Sequence, residues 1–244
     1  MKYSVLGVEI DQISRLVFWE KVETWLQSQT NHWLVTANPE IVLRAKDEKY
    51  RQILSSADLR LADGIGLVWA VNFLYGQKIE RIIGADLTVE LCQLAERKNL
   101  AVYFLGGAEG VAEVAAANLQ KIYPHLRVVG ASPGGVGSAL FNHPEVLQQI
   151  NLAQPDFLFV AFGSPSQEQW LAENINKLPS IRLAVGVGGT FDFLARLIKR
   201  APSSWQKLGL EWLWRLMQQP WRYRRIIRAV IIFPWRVLKQ KFSN

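Results

Sequence analysis

The chain has 244 residues, 50% hydrophobic and 20% charged, which suits one sizeable α/β domain and argues against extensive disorder. The single cysteine, Cys92, excludes a disulfide framework or a cysteine-based metal site within one chain. Residues 1–195 hold 16 Lys and Arg against 20 Asp and Glu, a net charge of −4, whereas residues 196–244 hold 12 against one, a net charge of +11. The sequence therefore predicts a core over 1–195 and a basic C-terminal appendage over 196–244.

Strand-like and helix-like segments alternate through the core. Residues 3–10 alternate like a strand, and a helix follows near 15–28. Asn38 and Pro39 suit the cap and first turn of another helix. Further strands are predicted over 32–36, 59–62, 101–105, 126–130, 156–161 and 182–187, and further helices over 65–74, 84–98, 108–123, 143–152 and 167–177.

A strand, a glycine turn and a helix recur about five times, which predicts an α/β fold with a Rossmann-like, mostly parallel sheet and helices on both faces. The strands 157–161 and 183–187 are apolar at consecutive positions, as expected when both faces of the sheet are covered. In such sheets ligands bind at the carboxyl ends of the strands.

The appendage predicts a different environment. Residues 205–217 carry apolar side chains at helical spacing, Pro220 breaks that pattern, and a second stretch mixes arginines with Trp221 and the apolar run 229–233. That run is too short to span a bilayer, but basic amphipathic helices with tryptophan lie at membrane surfaces. We therefore expect docking on an anionic membrane surface; a helical cover for the sheet or a subunit contact is the alternative.

Several kinds of chemistry find no support. A GxxxxGK[ST] loop, a GxSxG elbow and an Asp-x-Asp pair are absent, and His32, His125 and His143 lack metal-site spacing. Gly106 and Gly107 follow a strand, as in a phosphate-binding turn, but do not form GxGxxG. A nucleotide-binding oxidoreductase and a basic-tail nucleic-acid binder remain alternatives, although the apolar run 229–233 fits lipid better than nucleic acid.

Polar residues cluster where strands are predicted to end. Thr36 ends one strand and Asn38 follows it, with a simple helix cap as the alternative role. Asp63 follows another in an Asp-Gly turn, and Arg81 and Asp86 flank a helix start, where they could simply pair with each other. The segment 163–170 opens a helix whose positive end would suit a diphosphate or sugar hydroxyls.

Together these motifs resemble the WecG/TagA/CpsF family of glycosyltransferases (glycosyltransferase family 26), and the resemblance covers nearly the whole chain. The residues that carry it, in chain order, are Thr36, Asn38 and Glu40; Ala62, Asp63, Gly64 and Gly66; Arg81, Gly84, Asp86 and Leu87; Pro155 and Asp156; Gly163, Pro165, Gln167, Glu168 and Trp170; Gly186, Val187, Gly188, Gly189, Phe191 and Asp192; Arg200, Ala201 and Pro202; Gly209, Leu210, Glu211 and Trp212; and Arg215, Leu216, Pro220, Arg222 and Arg225.

The resemblance implies an inverting, metal-independent enzyme of cell-envelope polysaccharide synthesis that needs no cofactor. Its donor would be a UDP-linked N-acetylated amino sugar, N-acetylmannosamine or its uronic acid, and its acceptor N-acetylglucosamine on a polyprenyl diphosphate. A cytoplasmic location, peripheral on the inner face of the cell membrane, follows from this and from the absence of a signal-peptide pattern at the N-terminus. No nucleic-acid partner is expected, and self-association through the apolar tail is expected only without membrane.

Roles can then be assigned to the matching residues. Asp63 is the candidate base that takes the proton of the acceptor hydroxyl. Arg215 and Arg222, with Arg225 as a third candidate, would stabilise the leaving diphosphate. The remaining catalytic candidates are Thr36, Asn38, Gln167 and Arg81, and the candidates for donor or nucleotide binding are Gly106, Gly107, Gly163, Pro165, Glu168, Gly188, Gly189 and Asp192. Asp192 could bind the ribose or cap a helix.

Overall fold

A computed structural model describes residues 1–134 and 144–243 of the protein. Its centre is a six-stranded sheet of order β4-β3-β8-β7-β5-β6 in which every neighbouring pair is parallel. The strands are β3 (His32–Ala37), β4 (Leu59–Ala62), β5 (Ala101–Gly106), β6 (Arg127–Ser132), β7 (Phe157–Ala161) and β8 (Leu183–Gly186). The predicted fold class is confirmed. His143 and most of the predicted loop 132–138 lie outside the described residues.

Helices connect the strands, and the predicted helices differ from the observed ones by a few residues at their ends, whereas the helices over 48–55 and 190–194 were not predicted. The observed helices are α1 (Arg15–Gln27), α2 (Pro39–Arg44), α3 (Glu48–Ser55), α4 (Ile65–Tyr75), α5 (Gly84–Lys98), α6 (Val111–Ile122), α7 (Pro144–Ala153), α8 (Ser166–Asn174) and α9 (Thr190–Leu194). Helix α2 begins as the sequence predicts, because Oδ1 of Asn38 accepts hydrogen bonds from the backbone N–H groups of Glu40 and Ile41 at 2.9 and 3.1 Å.

Both faces of the sheet are buried under helices. Along β7, Phe157 and Phe159 belong to one apolar cluster and Leu158 and Val160 to the other, because successive side chains of a strand point to opposite faces. One cluster includes side chains of α1, α5 and α6, and the other includes side chains of α2, α3, α4 and α8. This double burial explains why the central strands are continuously apolar.

The prediction of a single strand over residues 3–10 is wrong. Residues Leu6 and Gly7 have positive φ angles and turn the chain, so β1 (Lys2–Val5) and β2 (Val8–Asp11) form a separate antiparallel hairpin. The hairpin is held to the sheet by Asp11, whose carboxylate accepts the backbone N–H of Arg60 at 2.8 Å and pairs with its buried guanidinium at 2.9 Å.

The C-terminal segment is helical, but its first helix is shorter than predicted. Gly209, with φ of +72°, separates α10 (Ser203–Lys207) from α11 (Glu211–Gln218), where the sequence pattern predicts one helix over 205–217. After a 3-10 turn at Pro220–Arg222, helical structure continues through α12 (Tyr223–Ile227), a π-helical segment (Arg228–Ile232) and α13 (Phe233–Ser243). We call residues 223–243 the terminal helical run.

The terminal helical run is packed on the core. Phe233 and Val237 are fully buried in the apolar cluster that also contains side chains of α2 and α4. A hydrogen bond also attaches the run to the N-terminal hairpin, since the side-chain oxygen of Gln240 accepts the backbone N–H of Leu6 at 2.8 Å. Within the described ranges, the chain has no helix both long enough and apolar enough to cross a bilayer. The boundary at residue 195 stays a prediction.

Candidate active site

A cleft of about 750 Å³ opens at the carboxyl ends of the parallel strands, where the fold predicts a ligand site. Its walls combine the segments that follow β3, β4, β5, β7 and β8 with residues of the C-terminal segment. The predicted site residues that line it are Thr36, Asn38, Asp63, Arg81, Gly107, Gly163, Gln167, Gly188, Gly189, Asp192, Arg215, Arg222 and Arg225.

Three predicted site residues do not line this cleft. Gly106 ends β5 so close to β7 that a Cβ on it would lie 2.8 Å from the carbonyl carbon of Ala161, so this glycine serves strand packing. Pro165 follows a cis peptide bond and precedes α8. Glu168 is only 1% exposed and is enclosed by protein groups. These three residues could therefore affect donor binding only through the residues that they position.

Asp63 faces the cleft from the end of β4. Its Oδ1 accepts the backbone N–H of Gly84 at 3.3 Å, and the Nε–H of Arg81 donates to its backbone oxygen at 2.7 Å. Burial raises the pKa of the Asp63 carboxyl to about 6, against the lowering effects of Arg81 and the Gly84 N–H. A carboxylate with this pKa is ionised at neutral pH and is a stronger base than an exposed aspartate.

Thr36 and Asn38 border the cleft but are partly committed to the fold. The Thr36 hydroxyl is buried and donates to the backbone oxygen of Gly186 at 3.0 Å, which joins β3 to β8. The side-chain oxygen of Asn38 caps α2, which confirms the helix cap that was the alternative role for this residue. Its amide nitrogen donates no hydrogen bond within the described part of the chain, which leaves it able to bind a ligand.

Arg81 and Asp86 do not form an ion pair with each other, so the alternative interpretation of these two residues is wrong. Arg81 forms an ion pair with Glu211 of α11, and Asp86 forms a two-point ion pair with Arg200, one bond being 2.8 Å. The Arg81 guanidinium also donates to the backbone oxygen of Gln206 at 3.3 Å. These contacts attach the C-terminal segment to the end of β4, so Arg81 positions the tail against Asp63.

A buried chain of hydrogen bonds leads into the cleft from α8. Tyr50 donates its hydroxyl proton to Oε2 of Glu168 at 3.0 Å, and Gln167 donates its amide to Oε1 of the same glutamate at 2.8 Å. The Gln167 oxygen in turn accepts the backbone N–H of Gly188 at 2.9 Å. Burial raises the pKa of both Glu168 and Tyr50. The chain fixes the orientation of Gln167 and of the glycine turn after β8.

Arginines of the C-terminal segment line the same cleft. Nη2 of Arg215 and Nε of Arg222 are buried without a hydrogen-bond acceptor among the described residues. Burial, with the nearby positive charge of Arg222 as the next cause, lowers the pKa of Arg215 to about 10. The Arg215 guanidinium also lies 4.9 Å from the ring centroid of Phe193. Buried, unsatisfied guanidinium groups of this kind are suited to bind an anion.

The third predicted arginine is paired. Arg225 donates to Glu40 of α2, with 2.8 Å from its Nε and 2.6 Å from its Nη2 to Oε2. Asp192, by contrast, caps no helix in the described part of the chain, because neither α9 nor α10 has a side-chain cap. A Cβ on Gly189 would lie 2.5 Å from Nη2 of Arg215, which would have to move, and at an ordinary contact distance of 3.4 Å from Oδ2 of Asp192.

The cleft also has an apolar part to its lining, which the sequence analysis did not predict. The apolar residues are Ile65, Trp69, Trp212, Trp214, Ile226, Ala229, Val230 and Pro234. Trp69 is 38% exposed and stacks on Phe73 with ring centroids 5.4 Å apart. The recurrence of Ile65, Trp69 and Phe73 every four residues was a signal for an apolar helix face. Tyr50 and Ser164 were also missed, because single polar residues carry no pattern.

The charge in the cleft comes from arginines and carboxylates. Over residues 1–134 and 144–243, no three His, Cys, Asp or Glu side chains are grouped so as to hold a metal ion. The cationic side chains of Arg81, Arg215 and Arg222 line the same cleft as Asp63. A carboxylate with a raised pKa in one cleft with unsatisfied guanidinium nitrogens would suit an enzyme that transfers a group away from a phosphate leaving group.

Comparison with known proteins specifies this class further. The chain belongs to the glycosyl transferase WecG/TagA/CpsF family, whose profile matches residues 3–244, and it is therefore a glycosyltransferase. The resemblance drawn from the motifs is confirmed, and the oxidoreductase alternative is set aside.

Two curated relatives have the name N-acetylglucosaminyldiphosphoundecaprenol N-acetyl-beta-D-mannosaminyltransferase. This chain is similar to the one from Bacillus spizizenii W23, with 37% identity over 206 residues, 84% of this chain and 78% of the relative. It is also similar to the one from Staphylococcus aureus MRSA252, with 32% identity over 243 residues, 98% of this chain and 93% of the relative.

Proposed function

We propose that the protein transfers N-acetylmannosamine, or its uronic acid, from a UDP donor to N-acetylglucosamine on a polyprenyl diphosphate. The reaction inverts the anomeric centre, needs no metal ion or cofactor and contributes to cell-envelope polysaccharide. The names of the relatives support the sugar and the acceptor. The observation that carries the mechanism is that Asp63 and the unpaired groups of Arg215 and Arg222 line the same cleft.

The proposed reaction is a single displacement. The acceptor hydroxyl oxygen bonds to the anomeric carbon while the bond from that carbon to the β-phosphate oxygen breaks. The hydroxyl proton passes to the Asp63 carboxylate, whose pKa of about 6 keeps it ionised and ready at neutral pH. UDP leaves with two electrons from the broken bond, and the charge that develops on it is stabilised by Arg215 and Arg222.

Other cleft residues would bind and orient the two substrates. Gly107, Gly163 and Gly188 have positive φ and line the cleft, so backbone can approach the donor closely there. Asp192, which has no capping role, is free to accept hydrogen bonds from the ribose. Gln167 would contact a sugar from its fixed position. We assign Thr36 and Asn38 to sugar or acceptor positioning.

A membrane location would present the lipid-linked acceptor to this cleft. Exposed apolar side chains recur every three or four residues on the terminal helical run, at Ile227, Ile231, Trp235, Leu238 and Phe242. Apolar residues of the same run, Ile226, Val230 and Pro234, also line the cleft. Such a surface with flanking basic residues suits the interface of a bilayer. We therefore place the protein in the cytoplasm, peripheral on the inner face of the cell membrane, with nucleic acid excluded as a partner.

The test is the release of UDP from a panel of UDP-N-acetyl sugars in the presence of chelator and lipid-diphosphate-linked N-acetylglucosamine. The native protein is compared with Asp63→Asn and with Glu113→Gln, a control that removes an exposed carboxylate on α6 outside the cleft. We expect acceptor-dependent release that Asp63→Asn lowers by about 10²- to 10⁴-fold and Glu113→Gln leaves unchanged.

The outcomes separate the parts of the proposal. Failure to release UDP from any donor would refute the substrate assignment, and activity that disappears with chelator and returns with a divalent metal would refute metal independence. A product with retained anomeric configuration, determined by NMR, would refute the single displacement.

A further inference from the structure

A second pocket lies outside the cleft, between α2 and the terminal helical run. Its volume is about 350 Å³, and it is lined by Glu40, Leu43, Arg44, Lys46, Arg225, Arg228, Ile232 and Arg236. Five of these side chains are basic and one is acidic. The pocket is therefore an open one with a strongly positive lining, and of its basic residues only Arg225 is a candidate for the glycosyl transfer reaction.

Most of this positive charge is not neutralised. Glu40 is already paired with Arg225. Within the described ranges, Arg44, Lys46, Arg228 and Arg236 form neither an ion pair nor a side-chain hydrogen bond. Four cations thus face one small volume, and their mutual repulsion is relieved when a multiply charged oxyanion binds among them.

The pocket adjoins the surface proposed to meet the membrane. Arg228 and Arg236 alternate along the terminal helical run with Ile231 and Trp235, which are 62% and 54% exposed. Apolar side chains inserted among acyl chains would hold the basic side chains at the depth of the phosphate groups. The location of the pocket thus selects a phosphate carried by a lipid over one free in solution.

The ion pair between Glu40 and Arg225 also separates this pocket from the catalytic cleft, since both residues line both cavities. A diphosphate joined to the reacting sugar must stay within one sugar of Asp63. A phosphate bound in the second pocket would lie on the other side of the ion pair. It would therefore belong to a lipid other than the acceptor, whose diphosphate must stay near Asp63.

We propose that this pocket binds the headgroup phosphate of an anionic phospholipid, held by Arg44, Lys46, Arg228 and Arg236. The site rests on the proposed membrane association and deepens it, because it replaces a diffuse attraction with a defined binding site. Bound phospholipid would fix the terminal helical run, and with it Arg225, in a defined orientation over the cleft.

The test compares two double variants that remove equal charge from the terminal helical run. Arg228→Gln with Arg236→Gln empties the pocket lining, and Arg224→Gln with Lys239→Gln is the control outside it. Binding to neutral phosphatidylcholine vesicles, with or without phosphatidylglycerol, is measured by co-sedimentation at physiological ionic strength. Diffuse attraction is worth about fivefold in affinity for each basic residue, equally in both variants.

We expect the pocket variant to lose at least about tenfold more affinity for the phosphatidylglycerol vesicles than the control, beyond the diffuse loss that both share. Equal losses in the two variants would overturn the proposal. A selective loss seen only with neutral vesicles that contain the lipid-linked acceptor would also overturn it, because the bound phosphate would then be the acceptor's.

The result does not depend on turnover. Transfer to a water-soluble, short-chain acceptor should be equal in both double variants and in the native protein, so failure of the proposed reaction would be seen separately. Arg228 is exposed and Arg236 is half-buried, and matching thermal unfolding curves would show that the variants are folded.

Discussion

Asp63→Asn should make the protein more stable while it removes most of the activity. Burial raises the pKa of Asp63 from 3.8 to about 6, so the folded protein holds this proton more tightly than the unfolded chain does. The resulting contribution to stability is fully present below pH 3.8 and is lost as the pH rises through about 6. Above that pH the folded protein contains a poorly solvated carboxylate, which asparagine replaces with a neutral group of similar shape.

The magnitude follows from the shift. A rise of about two pKa units corresponds to about 3 kcal/mol, which is the largest gain in the free energy of unfolding expected for Asp63→Asn well above pH 6. Below pH 3.8 the native protein and the variant should be equally stable. For the native enzyme, kcat/KM, which reports the pKa of the base in the free enzyme, should fall about tenfold for each pH unit below that pKa.

Urea unfolding at several pH values, followed by tryptophan fluorescence, measures the stability difference, and the transfer assay measures the rate. Glu113→Gln should unfold like the native protein throughout. A variant that is no more stable than the native protein above pH 6 would refute the electrostatic reasoning. An acidic limb of kcat/KM near pH 4 would show that the catalytic base is a different, ordinary carboxylate.

Three further substitutions test the surroundings of the base. Gly189→Ala places a methyl group 2.5 Å from the present position of Nη2 of Arg215, so kcat should fall by about 10²-fold in the transfer assay without a change in melting temperature. Tyr50→Phe removes the hydroxyl that donates to buried Glu168, so the free energy of unfolding, measured with urea, should fall by about 1–2 kcal/mol. Phe233→Ala should cost about 3–5 kcal/mol in the same measurement if the terminal helical run is part of the folded core, and an unchanged value would contradict that packing.

The sequence predicted the sheet well because five of the six strands are followed by a glycine turn, and helix starts have local signals. Asn38 is an example, since its capping bonds reach only two and three residues along the chain. The hairpin was missed because Leu6 is not a usual turn residue, although its φ is positive. The break at Gly209 was missed because apolar residues at helical spacing lie on both sides of it.

The cleft was partly predictable for a topological reason. All six strands of the main sheet are parallel, so residues at or just after the strand ends, such as Thr36, Asp63 and Gly188, had to meet at one edge. Contacts between segments that are distant in the sequence could not be predicted. Arg225 pairs with Glu40 across 185 positions, and Tyr50 meets Glu168 across 118, and no local pattern specifies either partner.

The unpaired arginines of the cleft also bear on the end of the reaction cycle. Guanidinium nitrogens that are buried without an acceptor are unfavourable in the free protein, and a bound diphosphate would supply the missing acceptors. On the proposed reaction, UDP has more negative charge after transfer than before it, so the product is the better ligand. The groups that accelerate bond breaking would then slow product release, and turnover would be set by how readily the C-terminal segment lets UDP depart.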